Sequence, residues 1–175
     1  MSNTAITVIL PTYNRREFLP RAVKCIVDQT FKDWNMIVAN DGGEDVGDIV
    51  RSFGDPRLSY LDLPHKGKAA TLNAALKIAK GEYIAYMDDD DEVFPEHLQL
   101  LHETAIRENA AFVYSDTWLT RIDKTTGEVL SEREENSRDV TLDMLKIQNY
   151  INHKQILHRR ELAEKIGGYD EQLPI

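Results

Sequence analysis

Gly81-Glu82-Tyr83-Ile84-Ala85-Tyr86-Met87 runs without a break into Asp88-Asp89-Asp90-Asp91, and that junction decides the fold. Tyr83 to Met87 is apolar or aromatic throughout, the pattern of a strand covered on both faces. Four carboxylates at the end of such a strand repel one another unless cations or water spread their charge. Open α/β sheets bind ligands at the carboxyl ends of their strands, so this run is the first place to look for function.

The same grammar extends outward on both sides. Ile6 to Leu10 reads as a buried strand stopped by Pro11. Asn14 followed by Glu17 has the spacing of a capping box, and Phe18, Leu19, Ala22, Val23, Ile26 and Val27 then recur at helical spacing, with Cys25 packed beside that stripe. Trp34 to Ala39 is a second buried strand ending at Asn40-Asp41-Gly42-Gly43, with a short helix over 44–51. Leu58 to Leu63 gives a third strand closed by Pro64. Leu72, Ala75, Leu76 and Ala79 mark a helix with Gly81 at its C′ position, and Pro95 opens a helix reaching about Asn109. Strands alternating with helices predict an α/β fold with a mostly parallel, doubly wound sheet. Past Ala110 the reading is a strand over 111–119, a turn over 123–128, and a short returning strand at Val129-Leu130. A charged surface loop over 131–139, a helix over 143–148, a strand over 152–158 and a helix over 159–166 ended by Gly167-Gly168 complete it. No repeat or linker divides the chain, so 1–175 is expected to be one domain.

Composition narrows the function. A chain of 175 residues with 42% hydrophobic content can bury a core without disulfides or structural metal. No apolar run approaches the roughly 18 residues of a membrane span, and the first residues lack the basic and apolar regions of a secretion signal. The single Cys25 fits a reducing compartment, so a cytoplasmic location is expected. A net charge of −9 and a pI near 5.0 argue against nucleic-acid binding. They still permit a phosphorylated small molecule, provided a cation offsets the repulsion. Neither G-x-G-x-x-G nor G-x-x-x-x-G-K-[ST] is present, so dinucleotide and P-loop chemistry lack their phosphate cradle. There is no G-x-S-x-G elbow either.

Several candidate contacts cluster after strands. The oxygen-only run Asp88–Asp91 suits Mg²⁺ or Mn²⁺, which take one or two protein carboxylates and fill the other positions with water and phosphate. The alternative is a solvated acidic loop favoured by the following helix. An EF-hand fails, because Val93 stands where glycine is needed and Gln99 where the bidentate glutamate belongs. Asp41 is placed to accept a ring N–H from a base, or else forms an ordinary Asp-Gly turn. Thr12 and Tyr13 offer a hydroxyl and an aromatic face. His65-Lys66-Gly67-Lys68, just before a helix, offers charge and backbone N–H groups to phosphate, or is an exposed basic loop. His153 and His158 show no metal-type spacing and read as structural or surface residues.

Together these pieces resemble the family-2 glycosyltransferases of the GT-A fold. The matching stretches, in order, are Val8 to Arg15, Ile37 to Gly42, Gly67 to Asn73, Gly81 into the aspartates, and Gly167-Gly168-Tyr169-Asp170-Glu171. The resemblance implies transfer of a sugar from a nucleotide diphosphate sugar, UDP-linked, with inversion. It divides the domain into a nucleotide-sugar-binding half, 1–109, and an incomplete acceptor-side half, 110–175. By similarity Pro11, Thr12, Tyr13, Asp41, Lys68, Asn73, Asp88 and Asp89 hold the donor, and Asp90 and Asp88 hold Mn²⁺ or Mg²⁺. Saccharides, glycolipids and proteins are all open as acceptors, as in polysaccharide and cell-envelope biosynthesis, and membrane association through missing regions is allowed. Leu72 stands where the family often has arginine. The family's catalytic carboxylate usually follows the Gly-Gly-aromatic-Asp-Glu segment by several residues, which lies past Ile175; the chain therefore reads as C-terminally truncated, with Asp170 and Glu171 as substitute bases. A nucleotide-sugar-binding module without turnover is the alternative. A nucleotidyltransferase is a third reading, disfavoured because no Gly-rich, Arg-containing loop follows the first strand.

Overall fold

The computed structural model describes residues 4–123, 126, 128–135 and 140–173. Its elements are β1 (Ile6–Thr12), α1 (Leu19–Val27), β2 (Trp34–Asn40), α2 (Gly47–Ser52), β3 (Leu58–Asp62), α3 (Lys68–Ile78), β4 (Tyr83–Tyr86) and α4 (His97–Arg107). There follow β5 (Phe112–Tyr114), β6 (Thr117–Ile122), β7 (Val129–Glu135), α5 (Leu142–Leu145), a 3-10 turn (His153–Gln155), β8 (Ile156–Arg159) and α6 (Arg160–Ile166). The centre is a six-stranded sheet in the order β3-β2-β1-β4-β8-β5, with a separate two-stranded ribbon of β6 and β7.

β1 is buried along its whole length and pairs in parallel with β2 on one side and β4 on the other. Its alternating side chains build two cores. Ile6, Val8 and Leu10 join Leu19, Val23 and Ile26 of α1 and Leu98 and Leu101 of α4. Ile9 points the other way, to Ile37, Ile84, and Leu72 and Ala75 of α3. Helices thus cover both faces, and the order of parallel strands reverses between β1 and β4, where such sheets open a ligand crevice.

Several boundaries differ from the sequence reading, each for a local reason. β1 does not stop at Pro11 but continues to Thr12. Met87 N donates to Ile9 O, so Pro11, two residues on, faces the same edge beyond the end of β4, where no ladder bond is lost. The Asn14–Glu17 capping box does not form. Asn14 has a φ of 51°, its Oδ1 accepts from Glu44 N at 3.0 Å, and α1 begins at Leu19 with Pro20 in its first turn. Gly81 is not the C′ residue of α3, which ends at Ile78 with Ala79 as its C-cap. Its glycine is needed because a Cβ would stand 2.3 Å from Thr7 N. The strand expected over 111–119 is two, β5 and β6, and the strand expected over 152–158 is the 3-10 turn plus β8. β7 extends to Glu135 and pairs with β6, so the first part of the expected loop is strand; 136–139 lie outside the described residues, as do 124, 125 and 127 of the expected turn. α2 and α5 are shorter than expected and α4 ends at Arg107.

β8 enters the sheet between β4 and β5, antiparallel to both. Residues from both halves of the chain therefore share one sheet, and the turn before β8 arrives beside the carboxyl end of β4.

Candidate donor-binding site

The ends of β1, β2 and β4 surround a cavity of about 540 Å³ lined by Pro11, Thr12, Tyr13, Arg15, Asp41, His65, Gly67, Lys68, Asp88, Asp89 and Asp90. Of the donor and metal residues expected from sequence, all but Asn73 meet there. Asn73 faces away: its amide donates to Tyr169 O at 2.9 Å and Glu171 Oε1 at 2.8 Å, and its oxygen accepts from Tyr169 N at 2.8 Å. It clamps the C-terminal segment rather than lining the cavity. Leu72 beside it is buried in the core.

One end of the cavity is flat and aromatic. The Tyr13 and His65 rings stack with centroids 4.2 Å apart and planes 15° from parallel. At the edge of the His65 ring Asp41, nearly fully buried, is saturated by its own chain. Its Oδ1 accepts from Lys66 N at 2.9 Å, and its Oδ2 accepts from Gly67 N at 3.0 Å and faces His65 Nδ1 at 2.9 Å. His65 Nδ1 also faces Asp41 O at 3.0 Å; two acceptors around one ring nitrogen mean that it carries the proton. The backbone turn that delivers these N–H groups needs Gly67, whose φ is 94°. Asp41 thus organises the 65–67 loop that leads into α3, and a base that uses its carboxylate must exchange with one of these bonds.

The other end is charged, and the carboxylates that would repel one another are spread over the protein's own cations. Lys68 Nζ lies 2.5 Å from Asp88 Oδ1, and Lys154 Nζ lies 2.5 Å from Asp91 Oδ1. Arg15 Nη1 bridges Asp89 Oδ1 at 3.1 Å and Asp90 Oδ2 at 2.6 Å, while Thr12 Oγ1 donates to Asp89 Oδ2 at 2.7 Å. Burial pushes the carboxyls of Asp89 and Asp91 up from their ordinary value, against the pull of Thr12 and Arg15 on the first and Lys154 on the second. Asp88 and Asp90 remain at the cavity edge. They offer oxygen only, and among the described residues no group of three or more His, Cys, Asp or Glu side chains gathers to hold a metal. That donor set fits Mg²⁺ or Mn²⁺ completed by phosphate and water, not an all-protein cage.

Behind the aspartates lies a packed cluster built on His153 and His158, the two histidines expected to be structural or surface residues. His153 stacks on Tyr86 with centroids 4.0 Å apart, and its Nε2 is 2.8 Å from Tyr169 Oη. Tyr86 Oη lies 2.8 Å from His158 Nε2, whose Nδ1 faces Arg159 O at 2.8 Å. The carbonyl requires Nδ1–H, so the tyrosine donates to Nε2. Desolvation holds His153 down at about 4, lowers His158, and raises the Tyr86 phenol. The turn carrying His153 is further pinned by His97 Nε2, which donates to Lys154 O at 3.0 Å. Asp170 and Glu171, the substitute bases, do not reach the cavity: Asp170 Oδ1 caps Gln172 N at 2.9 Å and Glu171 is held by Asn73. Arg15 and Lys154 were missed as site residues; single cations in a loop and a turn carry no periodic signal.

Comparisons with known proteins show the family. The model of the family described as Glycosyl transferase family 2 matches residues 7–167. The chain belongs to glycosyl transferase family 2. A UDP-Glc:alpha-D-GlcNAc-diphosphoundecaprenol beta-1,3-glucosyltransferase, WfgD, of Escherichia coli is 29% identical over 66% of this chain and 47% of its own length. A GalNAc(5)-diNAcBac-PP-undecaprenol beta-1,3-glucosyltransferase of Campylobacter jejuni is 35% identical over 63% of this chain and 37% of its own. Among solved structures, S. aureus TarS 1-349 superposes with a TM-score of 0.75 at 22% identity, covering 98% of this chain and 52% of that one. The mannosyltransferase PcManGT from Pyrobaculum calidifontis, solved with GDP-Man and Mn²⁺, gives 0.71 at 20% identity, covering 96% and 48%. These superpositions show the shared GT-A fold. The family-2 chain described here spans about half the length, or less, of the relatives it matches. No helix among its described residues is long and apolar enough to cross a membrane.

Proposed function

We propose that this chain forms the donor-binding part of an inverting, divalent-metal-dependent glycosyltransferase that takes a UDP-sugar and delivers the sugar to a lipid-linked saccharide. The observation that carries this reading is the polarity of one cavity: a stacked Tyr13–His65 pair beside Asp41 at one end, and Arg15, Lys68 and Asp88–Asp90 at the other. A nucleoside diphosphate has the same polarity, a flat ring at one end and two phosphates at the other. In this reading Pro11, Thr12 and Tyr13 bear on the base, the loop held by Asp41 shapes its pocket, and Lys68 meets the diphosphate. Asp88 and Asp90 would hold Mn²⁺ or Mg²⁺, which supplies Lewis-acid stabilisation of the charge on the leaving diphosphate. Inversion also requires a carboxylate to take the acceptor proton; among the described residues, none outside Asp41 and the Asp88–Asp90 run lines the cavity. UDP as the donor nucleotide is supported by the name of the Escherichia coli glucosyltransferase, and a diphosphoundecaprenol-type acceptor by the names of both. Such an acceptor would place the work at the cytoplasmic face of a membrane.

The placement of Asp170 and Glu171 away from the cavity favours a second reading, donor binding without turnover by these residues alone. Both are tested by incubating the protein with UDP-glucose, Mn²⁺ and a GlcNAc-diphospholipid acceptor while following UDP release and glycolipid product. Product formation supports the transferase. UDP binding without product or UDP release supports the binding module, and failure to bind UDP contradicts both.

A further inference from the structure

The aspartate run carries four negative charges and is met by three protein cations, Lys68, Arg15 and Lys154. The three are not equivalent. Lys154 and Asp91 are both largely buried, with side chains 19% and 28% exposed, and the lysine stands on a turn pinned from its backbone by His97. Lys68 holds Asp88 from the first turn of α3. Arg15 stands on the loop after β1, half exposed, and reaches two carboxylates through one nitrogen. Asp89 does not depend on it, because Thr12 holds the other oxygen of that buried carboxylate. Asp90 is different: it is as exposed as Arg15, and Arg15 is its ion-pair partner among the described residues. The same carboxylate is the one best exposed to accept a divalent ion at the cavity edge. Arg15 engages the aspartates through Nη1, while its Nε and Nη2 make no hydrogen bond among the described residues. Arg15 lines the cavity, and a guanidinium with donors to spare can grip two phosphate oxygens in a fork that a lysine cannot reproduce.

We propose that Arg15 is a positioning residue for the donor: it serves as the counter-ion of Asp90 until a divalent cation competes for that carboxylate, and it then pairs with the diphosphate. The inference rests on the donor-site reading. The charges support it. With the three cations in place the run retains one net negative charge, so an incoming diphosphate is repelled until a dication enters. Once the dication takes Asp90, the displaced guanidinium finds its nearest new anion in the diphosphate itself.

The test compares wild type, Arg15→Gln and Arg15→Lys for binding of Mn²⁺ alone, read as free Mn²⁺ by electron paramagnetic resonance, and for binding of UDP in saturating Mn²⁺. An exposed ion pair is a modest competitor, so removing it should tighten Mn²⁺ binding roughly three- to tenfold and weaken UDP binding by a similar factor. Arg15→Lys should leave Mn²⁺ binding near wild type and recover UDP binding only in part. The opposite signs are the signature, because general damage to the site weakens both. Unchanged or weakened Mn²⁺ binding in Arg15→Gln overturns the counter-ion role, and unchanged UDP binding overturns the diphosphate role. If wild type itself binds no UDP, the donor reading falls, and the Mn²⁺ comparison alone then decides whether Arg15 guards Asp90.

Discussion

Asp41 receives the backbone N–H of Gly67 between both its carboxylate oxygens, at 3.2 and 3.0 Å, from across 26 residues of chain. With Lys66 N on the same carboxylate, this closes the loop that leads from β3 into α3. Asp41→Ala would remove the acceptor of both these part-buried donors. Bonds to a charged group are worth about 1.5–3 kcal/mol each. The expected loss is about 3 kcal/mol in urea unfolding, with Asp41→Asn losing about half of that because its amide oxygen still accepts. UDP binding should fall in both variants, more in the alanine.

Thr12 and Asp89 make a second such joint. Burial already disfavours the ionised Asp89, and the Thr12 hydroxyl is the strongest of the contacts opposing that push. In Thr12→Val the carboxyl should rise further from its ordinary value. The penalty falls on the ionised form, so the variant should be less stable by about 2 kcal/mol at pH 7. That deficit should shrink as the pH falls and the carboxyl is protonated. Urea titrations of both proteins at pH 7 and pH 4 measure it.

His97 gives a pH dependence of its own. Desolvation holds its imidazole at about 4 in the folded protein, against about 6.5 when unfolded. Between those values the unfolded chain binds a proton that the folded one refuses. Stability is therefore complete above pH 6.5 and is lost as the pH falls toward 4, by up to about 3 kcal/mol. The raised carboxyls of Asp89 and Asp91 act with the opposite sign, but they are common to wild type and variant. His97→Gln can still donate to Lys154 O. It should reduce the loss of stability between pH 6.5 and 4, leaving the part that His153 and His158 carry with the same sign, as followed by unfolding at half-unit steps.

Gly81 tests the approach of the segment before β4 to β1. An added Cβ would meet Thr7 N at 2.3 Å and Tyr83 O at 2.7 Å, both backbone atoms, and Thr7 Oγ1 already accepts from Gly81 N at 2.8 Å. Neither strand can yield without disturbing the central ladder. Gly81→Ala should cost about 3 kcal/mol, the upper end of overpacking penalties, measured as a lower midpoint in thermal or urea unfolding.

The parts of this architecture that can be read from residue order are those with local periodicity. β1, β2 and β4 announce themselves as continuous apolar runs, and the aspartates mark the carboxyl edge because charge follows burial directly at Met87 and Asp88. What escapes is set by long-range pairing. Nothing near Ile156–Arg159 says that this strand enters between β4 and β5. Past Leu130, β7 reads as loop because Ser131 to Glu135 is polar and charged throughout, and its pairing with β6 is set across the ribbon rather than by local pattern. Asn73 was expected at the donor, yet its amide satisfies backbone groups of Tyr169, 96 residues away. Arg15 and Lys154 become legible only when strand order brings their loop and turn to the same four carboxylates. The hydrogen bond between His153 and Tyr169 arises in the same way.

If the ends of β1, β2 and β4 hold one nucleoside diphosphate through a shared divalent ion, calorimetric titration of UDP into the protein with Mn²⁺, repeated with chelator and with Asp90→Ala, reads that dependence. The expected result is a saturable heat with one site per chain, weakened about tenfold or more by either change. The absence of heat with wild type and Mn²⁺, or a heat that neither chelator nor Asp90→Ala alters, would contradict it.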